Sequence, residues 1–283
     1  MLRSAVWGIC LPTLLAISTP FAQAERAQIQ SQTSTKLVLP TNFAGCDASQ
    51  TSQLRQAFKD AALLASKAVN FDINLYASME FFGAPAYVHG GNHTIIQNNF
   101  ARAAAYQPRW DDWLRNSYLN LTCNDFAGRC GSTAFAYHVD PEPKPYPVLN
   151  FCPLFFEQRS FEGAVEYAMA DRERSYDLRS YDNNQGMIFL HEILHIDAVG
   201  QPKITDIMET TCEGREYGPA LGPLRCKYLA FFNERNNVAE TVRNADSYVQ
   251  FAMTMYVQER IGYPHKPVIW EPEEENTVFV EQV

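Results

Sequence analysis

The sequence predicts an α+β fold, mainly helical, with a small antiparallel β-hairpin or sheet beside the helix that carries an HExxH run. Three observations predict it. Apolar residues recur at helical spacing over long stretches, most clearly Leu54, Phe58, Ala61, Ala62, Leu64, Ala65 and Val69. Two strand-like runs, 133–139 and 146–151, flank a proline-rich turn at 140–147. An apolar run, 186–190, leads into His191-Glu192-Ile193-Leu194-His195.

Taken in order, residues 1–24 read as a signal peptide. Arg3 gives a basic start, residues 5–17 are mostly apolar, and Ala22-Gln23-Ala24 is a small-x-small cleavage site. The apolar stretch is too short for a membrane span, and no later segment qualifies as one. Residues 25–42 are polar and form a flexible lead-in. A single domain is expected over 43–262, since the mature chain of about 260 residues buries a substantial core. Helices are expected at 51–69, 73–82, 92–106 and 110–119. After the two strands comes a short helix at 161–170. A polar, loop-like stretch at 171–185 follows, in which Asn183 or Asn184 caps the next helix. Gly200 and Pro202 end that helix. A long amphipathic helix at 244–260 closes the domain, and 263–283 is an acidic tail.

The formal charge is −9, with no Lys/Arg cluster. This disfavours a nucleic-acid partner and gives no reason to expect a membrane partner. Cys10 leaves with the signal peptide. Cys46, Cys123, Cys130, Cys152, Cys212 and Cys226 remain, an even set suited to three disulfides in an oxidising compartment. Cys130 and Cys152 flank the strand pair, so a bridge between them would clamp the hairpin base. Sequons at Asn92 and Asn120 suit a secreted glycoprotein.

The HExxH run carries the chemistry. Residues four apart share a helix face, so His191 and His195 can reach one zinc ion. Glu192 stands beside the open coordination position, where it can take a proton from zinc-activated water. A third protein ligand is needed. His89, His93, His138 and His265 are candidates by residue type only. Asp197 follows His195 too closely and points off the histidine face. Asp206 lies beyond the Gly200-Gln201-Pro202 stop, where the chain can reverse toward the metal. Glu209, Glu213 and Glu216 remain rivals on these grounds.

His191-Glu192-Ile193-Leu194-His195, Ile204-Thr205-Asp206, Tyr217-Gly218 and Asn244-Ala245-Asp246 together resemble the aspzincin metalloendopeptidases, the family of deuterolysin and the fungal peptidyl-lysine metalloendopeptidases. The resemblance spans roughly Cys46 to Gly262 and includes Asn150-Phe151-Cys152-Pro153-Leu154-Phe155-Phe156. It implies a zincin-like domain, with Asp206 as third ligand and Tyr217 as oxyanion donor. It also implies bridges Cys46–Cys123 and Cys130–Cys152, which leaves Cys212 with Cys226. The chain departs from the family pattern in three places. Ten residues separate Asp206 from Tyr217, where the family has two. Ile204 replaces a glycine. Val249 stands where lysine-specific members carry a second acid, so lysine specificity is not implied. Asp246 remains a candidate for the substrate pocket. The expected protein is a secreted, monomeric zinc metalloendopeptidase with one Zn2+ per chain, acting on peptide or protein substrates. The alternative is a catalytically weak or inactive secreted protein on the same fold that binds or recognises peptides.

Overall fold

In the computed structural model, the described residues are 43–106, 119–139, 147–210, 216–232, 238–262 and 265–266. They fall in one of the two units into which the chain divides, Lys36–Val283. The expected signal peptide, the whole lead-in, the 110–118 part of a predicted helix and nearly all of the acidic tail lie outside them.

The first helix shows how sequence fixes an element. Asp47 precedes it as N-cap, accepting from Gln50 N at 2.8 Å, while Gln50 Oε1 accepts from Asp47 N at 2.9 Å. This reciprocal capping box satisfies amides that no earlier turn can reach. The helix, α1, runs Ala48–Ala68 and buries Leu54, Phe58, Ala61, Leu64 and Ala65 along one face. Next come α2 (Tyr76–Phe82), α3 (Pro85–Val88) and α4 (Gly91–Ala105).

The strands are β1 (Phe43–Ala44), β2 (Asn120–Thr122), β3 (Ala136–Val139) and β4 (Val148–Phe151). They form one sheet in the order β1-β2-β4-β3. The expected antiparallel hairpin is present as β3 and β4, with His138 opposite Leu149. Two further strands extend it in parallel, a pairing the local pattern did not reveal. Cys46–Cys123 ties the start of α1 to the end of β2, and Cys130–Cys152 clamps the hairpin region.

The remaining helices are α5 (Pro153–Glu157), α6 (Phe161–Met169), α7 (Arg172–Tyr176), α8 (Gln185–Leu194), α9 (Gly222–Phe232), α10 (Val238–Thr241) and α11 (Ala245–Ile261). A second, two-stranded sheet pairs β5 (Met208–Thr210) with β6 (Glu216–Pro219). The stretch expected to be loop, 171–185, holds α7 and a 3-10 turn at Leu178–Ser180. Asp171 and Asp177 cap these by accepting from Arg174 N and Arg179 N. Polar composition concealed them because so short a helix needs its caps more than an apolar stripe. The closing helix also differs from its expected amphipathic form: every residue of α11 from Ala245 to Thr254 is buried.

Helix α8 lies at the centre, against α1, α4 and α11, with β3 at its side. Phe189 carries much of this packing. Its ring meets Phe58 edge-on at 5.6 Å and stacks on Phe151 at 5.1 Å. One expectation fails. The proposed Cys212–Cys226 bridge is not formed: Cys226 is a free, buried thiol whose Sγ donates to Ala220 O at 3.4 Å. It occupies an inward position of α9, packed among backbone and polar groups. Cys212 itself lies outside the described residues.

Candidate metal centre

Asn184 caps α8 by accepting from Met187 N at 3.0 Å. This starts the helix nearly two turns before its functional residues. The helix ends at Leu194 with His195 as C-cap, earlier than the predicted stop at Gly200 and Pro202. Gly200 serves a different purpose. A Cβ there would stand 2.1 Å from Leu194 O, so only glycine lets the chain fold back over the helix end.

One turn of α8 brings the two imidazoles together. His191 Nε2 and His195 Nε2 lie 3.1 Å apart. Asp206 Oδ1 lies 3.0 Å from His191 Nε2 and 3.5 Å from His195 Nε2. No other group of three such side chains with converging ligand atoms occurs among the described residues. Each histidine has an acceptor for its other nitrogen: Asp246 Oδ1 lies 3.3 Å from His191 Nδ1, and Ile204 O lies 3.1 Å from His195 Nδ1. Placing the protons on both Nδ1 atoms turns both Nε2 lone pairs inward.

Asp206 arrives from a different part of the chain. Thr205 forms a parallel β-bridge with Asn244, through Thr205 N to Arg243 O at 2.8 Å and Ala245 N to Thr205 O at 3.1 Å. Asn244 Oδ1 accepts from Ile207 N at 3.1 Å, and its Nδ2 donates to Ala220 O at 3.0 Å. The Asn-Ala-Asp run that opens α11 therefore holds the Asp206 segment with its first residue and reaches His191 with its third.

The acidic groups around His191 favour a positive charge at this point, whether a proton or a metal ion carries it. Burial works to lower the His191 pKa, yet Asp206, Asp246 and Glu192 together hold it well above an ordinary imidazole. Burial and the neighbouring His191 push His195 down to about 4. Partial desolvation works to raise the Asp206 pKa, but His191 draws it down to about 2. With the extra His191 proton displaced, two inward Nε2 lone pairs and the Asp206 carboxylate at these separations fit a divalent cation. Burial raises the Glu192 carboxyl to about 7, and its Oε2 is buried without a partner among the described residues.

The centre opens on a cleft of about 220 Å³ lined by His191, Glu192, Asp206, Phe135, Ile188 and Val249, among others. Asp182 and Asp246 also line it. Burial, then the charge of Asp246, raises Asp182 to about 6. Asp246, the substrate-pocket candidate, lines this cleft and in addition contacts His191. Sequence reasoning missed Asp182 because it sits in the polar stretch before α8, where nothing local distinguishes it. It also missed Gln250, although Gln250 follows Asp246 by four residues on one helix face.

The other candidates are placed elsewhere. His93 Nε2 faces Phe71 O at 3.2 Å, and His265 Nε2 lies 2.8 Å from Glu80 Oε2 in a buried pair. His138 stacks its ring 6.2 Å from that of His195 without joining the converging atoms. His89 is the C-cap of α3. Asp197 faces Lys203 at 3.4 Å, and Glu209 faces Arg225 at 3.5 Å. Glu213 lies outside the described residues. Glu216 and Tyr217 are on β6, but their side chains are not among those described. The backbone makes Tyr217 the extra residue of a bulge, since Glu209 pairs with Gly218 and Thr210 with Glu216.

The chain matches no family model and none of the curated proteins. Among solved structures it is similar to a zinc peptidase from Grifola frondosa, with 16% identity, a TM-score of 0.45, and coverage of 74% of this chain and 97% of that one.

Proposed function

We propose that this protein is a secreted zinc metalloendopeptidase. The observation that carries the reading is the convergence of His191 Nε2, His195 Nε2 and Asp206 Oδ1 beside Glu192, whose Oε2 is buried without a partner among the described residues. His191, His195 and Asp206 would hold the zinc, which when bound acidifies water and polarises a carbonyl.

Glu192 accepts the proton of the attacking water and returns it to the leaving amine. Its burial suits this role, because a carboxyl titrating near neutrality both takes and gives a proton readily. Tyr217 is assigned as donor to the developing oxyanion, a role that requires its hydroxyl to reach the cleft. Strand β3 is an edge strand, bonded only to β4 among the described strands. An extended peptide can add along its free edge, past Ala136 and Phe135, and enter the cleft. Asp182 and Asp246 favour a substrate that presents a basic side chain there.

The two disulfides support an oxidising compartment. No helix among the described residues is long and apolar enough to cross a membrane. Of the two sequons, Asn92 at the start of α4 is the proposed glycan acceptor. Asn120 lies on an inner strand with its Oδ1 buried.

Casein hydrolysis tests the proposal. Chelator should abolish it and zinc restore it. Glu192→Gln should retain zinc but lose at least about 10²-fold in kcat. Full turnover in Glu192→Gln would contradict the assignment, and intact zinc binding without hydrolysis in the wild type would favour a peptide-binding role on the same scaffold.

A further inference from the structure

Gln250 occupies the second turn of α11 and is 1% exposed. Its Nε2 donates in two directions, to Asp182 Oδ1 at 2.9 Å and to Asp246 Oδ2 at 3.2 Å. The backbone N–H of Gly222 also donates to Asp246 Oδ2, and the Cys226 thiol faces that oxygen at 3.7 Å. With Oδ2 held by the Gln250 amide and the Gly222 N–H, Oδ1 is left to accept from His191 Nδ1. The carboxylate cannot turn without breaking these bonds.

Gln250 Oε1 is itself buried with no partner among the described residues. An unsatisfied buried carbonyl is costly, so the amide's orientation is set by the two carboxylates and not by its own oxygen. The bridge also joins separate elements. Asp182 stands before α8 and Asp246 at the start of α11, so Gln250 ties the approach to the HExxH helix to the helix behind it.

We propose that Gln250 is a positioning residue of the metal centre. By linking Asp246 to Asp182, it holds Asp246 Oδ1 on His191 Nδ1 and keeps the His191 Nε2 lone pair turned toward His195 and Asp206. This inference rests on the zinc reading of the site but not on peptidase activity. Removing a group that orients a ligating histidine lowers metal affinity, because the free imidazole then samples orientations and tautomers that cannot bind.

The test is the zinc dissociation constant, measured by competition with a chromogenic chelator in wild type, Asp246→Asn, Gln250→Leu and Asp182→Ala. Asp246→Asn should weaken binding by about 10–100-fold, the range for losing the carboxylate behind a ligating histidine. Gln250→Leu should weaken it by about 10-fold, the low end of that range. Where peptide hydrolysis is measurable, kcat should fall with KM little changed. A merely structural glutamine would lower the melting temperature and leave zinc affinity at the wild-type value, and that result overturns the proposal. Should Gln250→Leu fail to fold, Asp182→Ala removes the same anchor from the half-buried cleft wall, and unchanged affinity there also overturns it. If the wild type binds zinc but cleaves nothing, the proposed activity falls and the affinity series still decides the role of Gln250. If it binds no zinc, both fall.

Discussion

His191 and His195 stand on a helix packed against α1, α4 and α11, whereas Asp206 stands on an extended arm held by one β-bridge and one asparagine side chain. The first pair is positioned locally. Their spacing and the helical period put both rings on one side whatever the rest of the chain does. The aspartate is positioned by tertiary contacts alone, eleven residues further on. The candidate metal centre thus has one half that depends on core packing and one that depends on a few hydrogen bonds. The two halves should fail differently.

Phe189→Ala attacks the helix side. The ring is fully buried between Phe58 and Phe151, so its removal should cost about 3–5 kcal/mol of global stability. Urea denaturation should show a lower midpoint, with zinc still bound by the molecules that fold. A loss under about 1 kcal/mol would mean that α8 does not depend on this packing.

Asn244→Ala attacks the arm. It leaves Ile207 N without its side-chain acceptor and Ala220 O with only the weak Cys226 thiol donor, at a cost of about 1–3 kcal/mol. Its signature should be disproportionate loss of zinc, because the arm that carries Asp206 is released while α8 stays folded. Equal zinc affinity in Asn244→Ala and wild type would show that the β-bridge at Thr205 suffices.

The smallest effect concerns Glu209, further along the arm on β5. Burial raises its carboxyl from 4.5 to about 7, against the opposing pull of Arg225. A carboxyl with its folded pKa raised costs stability once it ionises. That cost is absent below about pH 4.5 and complete above about pH 7. Glu209→Gln should therefore raise the melting temperature at pH 8, by the equivalent of roughly 1 kcal/mol, and leave it unchanged at pH 4. A stabilisation that is equal at both pH values would remove burial of the charge as its cause.

What could be read from the sequence follows the same division. The HExxH helix, its asparagine cap, α1 and the β3–β4 hairpin were legible because each is specified within a few residues. Asp206 became legible only through the resemblance to aspzincins; by residue type and spacing it had rivals in Glu209, Glu213 and Glu216. The parallel strands β1 and β2 were invisible because two or three residues carry no usable period, and their pairing joins segments that are far apart. Asp182 and Gln250 were missed for a related reason. Each is an ordinary polar residue in its own element and acquires its role only when α11 lies beside the turn before α8. Cys226 erred in the opposite direction: counting cysteines supplied a partner, but its thiol is buried and free.

Metal content tests the central claim most directly, measured by mass spectrometry on wild type and Asp206→Ala purified in parallel. The account predicts about one zinc per wild-type chain, as three protein ligands require, and loss of most of it in Asp206→Ala at unchanged fold by circular dichroism. Asp206→Ala protein that keeps its full zinc complement would contradict it, and would transfer the third ligand to another carboxylate of the arm.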